Sequence, residues 1–299
     1  MAERAVATRS LPLSLIEALR PKQWAKNVLL FVGLVFALKL GDPVSVGRAL
    51  VAFVVFCSVS SAGYLFNDLA DLEQDRQHPR KRRRPLASGR VRPGQAVALG
   101  ATLLIGGLAV SFLVSTRFGL LTLGYVLLTV AYNAGLKHVV LVDVFALAAF
   151  YLIRAVAGAV AIDVPISPWL YLCTILGALF LGLAKRRHEL LLLGDEAASH
   201  RQILREYSPA LLEQLITIVT AGLVMAYSLY TFSAENLPRD HSMMLTIPVV
   251  LFGIFRYLYL VHRREGGGSP EETLLTDVPM LMTGLALAGV SVAVLYWRP

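Results

Sequence analysis

The sequence predicts an all-α polytopic membrane protein with nine transmembrane helices. Composition is the first sign: 56% of the 299 residues are hydrophobic, only 16% are charged, and mean hydropathy is +0.64, outside the range of soluble domains. Block length is the second. The apolar residues gather at 24–40, 47–66, 94–115, 118–134, 139–162, 169–184, 212–232, 244–262 and 277–297, and a block needs roughly 17–25 residues to cross a bilayer. The third is pattern, for the runs are continuous rather than alternating, which points to helices and against an outer-membrane barrel.

Residues 1–21 precede the first block. They hold one brief apolar stretch, LPLSLIEAL, with Glu17 inside it and no small-residue cleavage pattern. They read as a cytoplasmic amphipathic segment lying on the membrane surface. The first block opens RPKQWAKN. On an α-helix Lys22 and Lys26 are four apart, as are Gln23 and Asn27, so they form one polar stripe. Such a stripe is costly against lipid and is expected to face a cavity, with Trp24 at headgroup level. The second block, uncharged from Ala49 to Phe66, runs into NDLADLEQDRQHPRKRRRPLASG, residues 67–89.

The third and fourth blocks are joined by STRFG, and YNAGLK (132–137) closes the fourth. The fifth carries Asp143 and Arg154, nearly three turns apart on one face and about 16 Å apart along the axis. An interhelical pair and a ligand contact both account for them. AKRRHEL (184–190) ends the short sixth block with Lys185, Arg186, Arg187 and Glu189; positive-inside anchoring and a Lys185–Glu189 pair are its structural readings. Arg256, in the eighth, reads as a snorkelling residue. Cys57 and Cys173 fall within blocks and read as small core residues, not a disulfide. With no soluble domain or short-period repeat, residues 1–299 read as a single transmembrane domain.

Orientation follows from the cations. With the N-terminus inside, 21 Lys and Arg lie on inside segments and 5 on outside ones. A multi-pass protein of the cell membrane is expected, N-terminus cytoplasmic and C-terminus outside. The two longest connections, 67–93 and 185–211, are both inside, where long loops tend to carry function.

Asn67, Asp71 and Asp75 fall at i, i+4 and i+8, and Asp68 joins them within an arc of roughly 100°. Clustered carboxylates repel one another unless a cation lies between them. All-oxygen ligands without His or Cys favour Mg2+, which keeps waters and bridges to substrate phosphates. Asn67, Asp68, Asp71 and Asp75 are therefore candidate metal ligands, the three aspartates candidate catalytic groups, and a phosphorylated ligand is implied. A solvated helix end carrying interfacial acids is the alternative. The basic run Arg80–Arg84, with Arg83 as a candidate phosphate contact, reads equally as a patch attracted to anionic lipid.

These residues resemble the UbiA superfamily of intramembrane transferases, through NDLADLEQD after the second helix and YNAGLK after the fourth, and the likeness covers essentially the whole chain. It implies a bundle around a cavity open to the cytoplasm and sideways to lipid, with Mg2+ held on a diphosphate. One departure is informative. Typical family prenyltransferases carry a second D-x-x-x-D motif where this chain has KRRHE, 185–189. That replacement and RPKQWAKN are similar to the decaprenyl-phosphate phosphoribosyltransferases of mycobacteria. The resemblance implies transfer of 5-phosphoribose from phosphoribosyl pyrophosphate (PRPP) to a polyprenyl phosphate, for cell-wall arabinan. Lys22, Gln23, Lys26, Asn27, Arg83, Tyr132, Lys137, Asp143, Arg154, Lys185, Arg186, Arg187 and Glu189 are its candidate substrate-binding residues.

The alternative enzyme is a prenyltransferase moving a prenyl group from a diphosphate to an aromatic or haem acceptor. A transporter would use Asp143 and Arg154 as pathway residues, but the polar residues cluster on one side instead of forming a path across. Nucleic acid is not an expected partner, because the basic run is short and membrane-tethered and the adjacent acids repel phosphate. Membrane lipid is a partner throughout, and a homo-oligomer is compatible with such a bundle.

Overall fold

The computed structural model describes residues 10–79, 81–193, 202–234, 237–263 and 276–296. Residues 1–9 of the expected surface segment, and Arg80 of the basic run, lie outside them. Every regular element among the described residues is helical. The α-helices are α1 Leu11–Ala18, α2 Val32–Phe36, α3 Pro43–Ala70, α4 Leu72–Gln77, α5 Pro93–Val114, α6 Thr116–Ala134, α7 Val142–Ala161, α8 Pro168–Leu193, α9 Pro209–Ser233, α10 Ile247–Arg263 and α11 Val278–Tyr296.

Seven helical stretches among the described residues are long and apolar enough to cross a membrane: α3, α5, α7, α8, α9, Ser242–His262 with most of α10, and α11. The other two of the nine expected blocks differ. The fourth forms α6, which has 19 residues but carries Arg117 and Asn133 near its ends and falls outside the seven. The first is a 3-10 helix, Pro21–Phe31, followed by the short α2.

That winding corrects the expected α-helical stripe. In a 3-10 helix residues three apart eclipse, so Trp24 and Asn27 share a side. Trp24 Nε1 donates to Ser61 Oγ (3.0 Å) and Asn27 Nδ2 to Cys57 Sγ (3.3 Å), and these two acceptors lie one α-helical turn apart on α3. Asn27 is fully buried against α3, while Lys22 is exposed. The geometry that placed Asn27 beside the lysines does not hold. The looser rise also bears on length: eleven residues at about 2.0 Å and five at 1.5 Å reach about 30 Å, a bilayer core's thickness.

The chain divides into two compact units. The first comprises residues 1–28 and 51–130. Here Ala18 of α1, Leu65 of α3, Leu86, Val91 and Ala96 of α5 form a core, with Leu15, Leu69 and Leu99 packed against it. Leu11, Leu13 and Ile16 are exposed on α1, whereas Ser14 and Ala18 are buried. Arg90 donates to both Glu17 oxygens (2.6 and 3.0 Å) and to the Arg83 carbonyl (2.8 Å), fastening α1 to the 83–90 turn. Phe56 meets Phe118 and Tyr125 of α6 at ring separations of 6.0 and 5.3 Å.

The second unit comprises residues 29–50 and 131–299. Its main core joins α7, α8, α9 and α10 through Val144, Phe180, Leu183, Leu212, Ile216, Tyr257 and neighbours. A smaller cluster holds Tyr230, Leu237, Met243 and Leu295 with Phe36 and Trp169. Tyr296 Oη donates to the Val35 carbonyl (2.9 Å), so α11 is tied to α2. Arg256 is not a snorkelling residue: it makes a two-point pair with Asp277 (3.1 and 2.7 Å), and Asp277 also accepts from the Met280 N–H in the first turn of α11 (3.1 Å).

In this unit α7 and residues 30–33 of the first block approach each other closely. A Cβ added at Gly158 would lie 2.1 Å from the Leu30 carbonyl oxygen, and one at Gly33 would lie 3.1 Å from Ala159 Cα. Backbone cannot yield as a flexible side chain can. Gly158→Ala is therefore expected to lower unfolding free energy by about 1–3 kcal/mol or more, read as a fall in thermal midpoint in detergent; an unchanged midpoint would place that packing elsewhere.

Candidate active site

The acidic motif lies where α3 passes into α4. The helix breaks at Asp71, which adopts φ −92° and ψ 9° at the start of α4. The turn nevertheless carries through, since Asp71 N–H donates to the Asn67 carbonyl (2.9 Å) and Asp75 N–H to that of Asp71 (2.8 Å). The expected i, i+4, i+8 line thus survives the break. Asn67 Nδ2 donates to Asp71 Oδ2 at 3.1 Å.

The two most buried acids of the motif have acquired internal cations. Asp68 is 2% and Asp75 1% exposed, a burial that carboxylates tolerate only when paired. Asp68 Oδ1 accepts from Arg20 and from Arg84 Nη1 (3.0 Å). The same Arg84 nitrogen reaches Asp75 Oδ2 at 2.6 Å, and Lys81 Nζ lies 3.6 Å from Asp75 Oδ1. Arg20 has a left-handed backbone, φ 55°, and its guanidinium lies over the Tyr64 ring at 4.9 Å. A strained residue at such a place is a pointer to function.

The basic run therefore divides at its last two arginines. Arg83 is exposed and offers its carbonyl to Arg90, while Arg84 enters the acids. Neither Arg84 nor Arg20 was among the candidate contacts: a run of five cations has no periodicity that singles out Arg84, and Arg20 lies 48 positions from Asp68. The expected metal quartet also closes differently. Among the described residues, no three His, Cys, Asp or Glu side chains gather into a group able to hold an ion, and the Arg84 guanidinium lies between Asp68 and Asp75. The residues still fit Mg2+, which takes one or two carboxylates and completes its shell from water and substrate phosphates. The donors are all oxygen, and buried Asp75 Oδ1 accepts no hydrogen bond.

The second unit holds a separate polar network. Asp143, fully buried, accepts from Arg186 Nε at Oδ2 (2.6 Å) and from Tyr207 Oη at Oδ1 (2.9 Å). Tyr207 Oη in turn accepts the N–H of Leu141 (2.8 Å), a residue held at φ 64°. Arg186 also donates to Glu189, and Arg187 pairs with Glu213 on α9 (2.9 Å). The interhelical pair, one of the two readings left open for Asp143, is formed with Arg186. Arg154 is buried, donates to the Phe150 carbonyl (2.8 Å) and lies beside Tyr151. Tyr132 packs edge-on against Phe150 at 5.9 Å. Lys137 sits in the Leu136–His138 turn, and Lys185 and Lys137 are half-buried.

Arg186 and Arg187 each hold a carboxylate, Asp143 and Glu213, so their expected contact with substrate phosphate would need those pairs to open. Tyr207 was not a candidate either: it lies 64 positions from Asp143, and only the fold brings them together. Burial pushes its phenol up to about 12, so it stays protonated and keeps donating to Asp143 at physiological pH. Removing one partner of a buried pair leaves an uncompensated charge, at about 3–5 kcal/mol. Arg186→Met is expected to destabilise the protein by that order in a thermal or denaturant assay, and adding Asp143→Asn to restore part of it. Additive losses would show that the pair does not carry its own charge balance.

Comparison with known proteins fits this architecture. A model of the UbiA prenyltransferase family matches residues 28–274. The decaprenyl-phosphate phosphoribosyltransferase of Mycolicibacterium smegmatis is 34% identical, over 97% of this chain and 94% of its own. That of Mycobacterium tuberculosis is 35% identical over 96% of each. Among solved structures, a UbiA homolog from Archaeoglobus fulgidus bound to GPP and Mg2+ superposes with a TM-score of 0.72 at 18% identity, covering 94% of this chain and 99% of that one. By the extent of these matches, and with NDLADLEQD standing where the long α3 passes into α4, this chain belongs to the UbiA prenyltransferase family.

Proposed function

We propose that the protein transfers 5-phosphoribose from PRPP to decaprenyl or another polyprenyl phosphate, releasing pyrophosphate and supplying cell-wall arabinan synthesis. The observation that carries this reading is the 34–35% identity, nearly end to end, to decaprenyl-phosphate phosphoribosyltransferases. With it we propose nine spans in the cell membrane, the N-terminus and the acidic motif on the cytoplasmic side.

Asp71, Asp75 and Asp68, with Asn67, would hold Mg2+. Bound there, the ion would neutralise charge on the leaving diphosphate. Arg20, Arg84 and Lys81 donate to phosphate oxygens, with Lys22, Lys26 and Gln23 on the neighbouring 3-10 segment. In the second unit, Lys137 and Lys185 are the cations proposed for substrate phosphate. Charge grows on the diphosphate as the C1–O bond breaks, and donors fixed in advance lower that barrier. The ribose C1 becomes oxocarbenium-like, and an oxygen of the lipid phosphate attacks the opposite face, forming the new C1–O bond. A phosphate monoester is already anionic near neutrality, so no side chain has to remove a proton.

A second reading keeps a prenyl diphosphate as donor and an aromatic or haem acceptor, as the GPP of the Archaeoglobus homolog suggests. A donor–acceptor matrix in detergent separates the two, with PRPP and prenyl diphosphates each offered polyprenyl phosphate or aromatic acids. Turnover is expected only for PRPP with polyprenyl phosphate; turnover only with prenyl diphosphate would replace the first reading by the second. In the productive pair, Asp71→Ala is expected to abolish transfer. Near-normal turnover of that variant in saturating Mg2+ would overturn the metal assignment.

A further inference from the structure

We propose that Arg84 is an internal stand-in for the metal: its guanidinium neutralises Asp68 and Asp75 in the ligand-free enzyme, so that a divalent ion can enter only together with a diphosphate. This rests on the reading of the acidic motif as a metal–diphosphate site. The geometry is specific. One nitrogen, Nη1, bridges Asp68 Oδ1 at 3.0 Å and Asp75 Oδ2 at 2.6 Å, the position a bridging cation would take.

Charge counting sets the consequence. Asp68 and Asp75 contribute two negative charges, and Arg20, Arg84 and Lys81 three positive ones. Asp71 is half-buried and accepts from the Asn67 amide. A divalent ion arriving alone therefore meets acids that are already neutralised. It can reach them only by displacing charge-assisted hydrogen bonds and stranding a guanidinium without an anion. A diphosphate changes both sides of the exchange, because its oxygens receive the guanidinium as the carboxylates turn to the metal. The number of ion contacts is then kept, and no buried charge is left unpaired at any stage.

The two arginines are unequal in this exchange. Arg20 is pinned over Tyr64 on a left-handed backbone. Arg84 is 28% exposed, and its backbone is anchored on either side, its N–H donating to the Lys81 carbonyl and its carbonyl accepting from the Ser88 N–H, both at 2.9 Å. The exchange therefore needs only rotation of the Arg84 side chain, with the loop left in place.

The test is Mn2+ binding to the full-length protein in detergent, followed by electron paramagnetic resonance, with and without inorganic pyrophosphate at matched free Mn2+. Wild type is expected to bind Mn2+ weakly alone and tightly with pyrophosphate. Arg84→Gln is expected to bind Mn2+ alone at least about tenfold more tightly than wild type, the factor that one charge-assisted hydrogen bond amounts to. Its additional gain from pyrophosphate should shrink. A folded Arg84→Gln protein with unchanged affinity for Mn2+ alone overturns the proposal. If that variant does not fold, Arg84→Lys, which keeps a cation without the guanidinium geometry, should show the same change at smaller size, and no change there overturns it equally. Asp71→Ala separates the two levels: if pyrophosphate-dependent Mn2+ binding survives in it, the metal reading itself fails, whatever Arg84 does.

Discussion

A carboxylate buried at the edge of a membrane needs a cation within hydrogen-bond reach, and this requirement organises both units. Losing water costs an ion several kcal/mol even after the protein relaxes. In the first unit Asp68 and Asp75 satisfy the requirement through Arg84, which draws the segment after α4 back against the end of α3. In the second, Asp143 satisfies it through Arg186 and thereby joins α7 to α8. The same rule holds at Arg256 and Asp277, where α10 meets the start of α11. Helices that apolar packing alone would leave free to slide are fixed in register by these pairs.

The two buried networks differ in what they leave available. Around Asp68 and Asp75 the cations are partly solvent-exposed, from 26% for Arg20 to 43% for Lys81. An incoming anion can reach them. Around Asp143, Arg186 is 1% exposed and shared by two carboxylates, with Tyr207 closing the remaining acceptor. That arrangement has no cation in surplus. Basic residues at the end of α8 that look alike in sequence thus differ in burial, Arg186 and Arg187 lying buried against carboxylates and Lys185 half-buried.

Much of the fold was legible because it depends on local pattern. Long apolar blocks gave the spanning helices, and the spacing of Asn67, Asp71 and Asp75 persisted through the break at Asp71 because the backbone bonds bridge it. What escaped depends on contacts distant in sequence. Choosing Arg84 over Arg83 requires knowing how the turn after α4 folds back, and Tyr207 is joined to Asp143 only by tertiary structure. The winding of residues 21–31 escaped for another reason. Apolar content does not distinguish 3-10 from α, and the deciding bonds come from Ser61 and Cys57 on a different helix.

That winding has a mechanical implication. If Pro21–Phe31 tightened its rise from about 2.0 to 1.5 Å per residue, the segment would contract by about 5 Å. Trp24 and Asn27 would rotate out of alignment, and their grips on Ser61 and Cys57 could not both persist. Those two grips therefore act as a ratchet pawl that keeps the stretched form engaged, holding Lys22 and Lys26 at a fixed height beside α3.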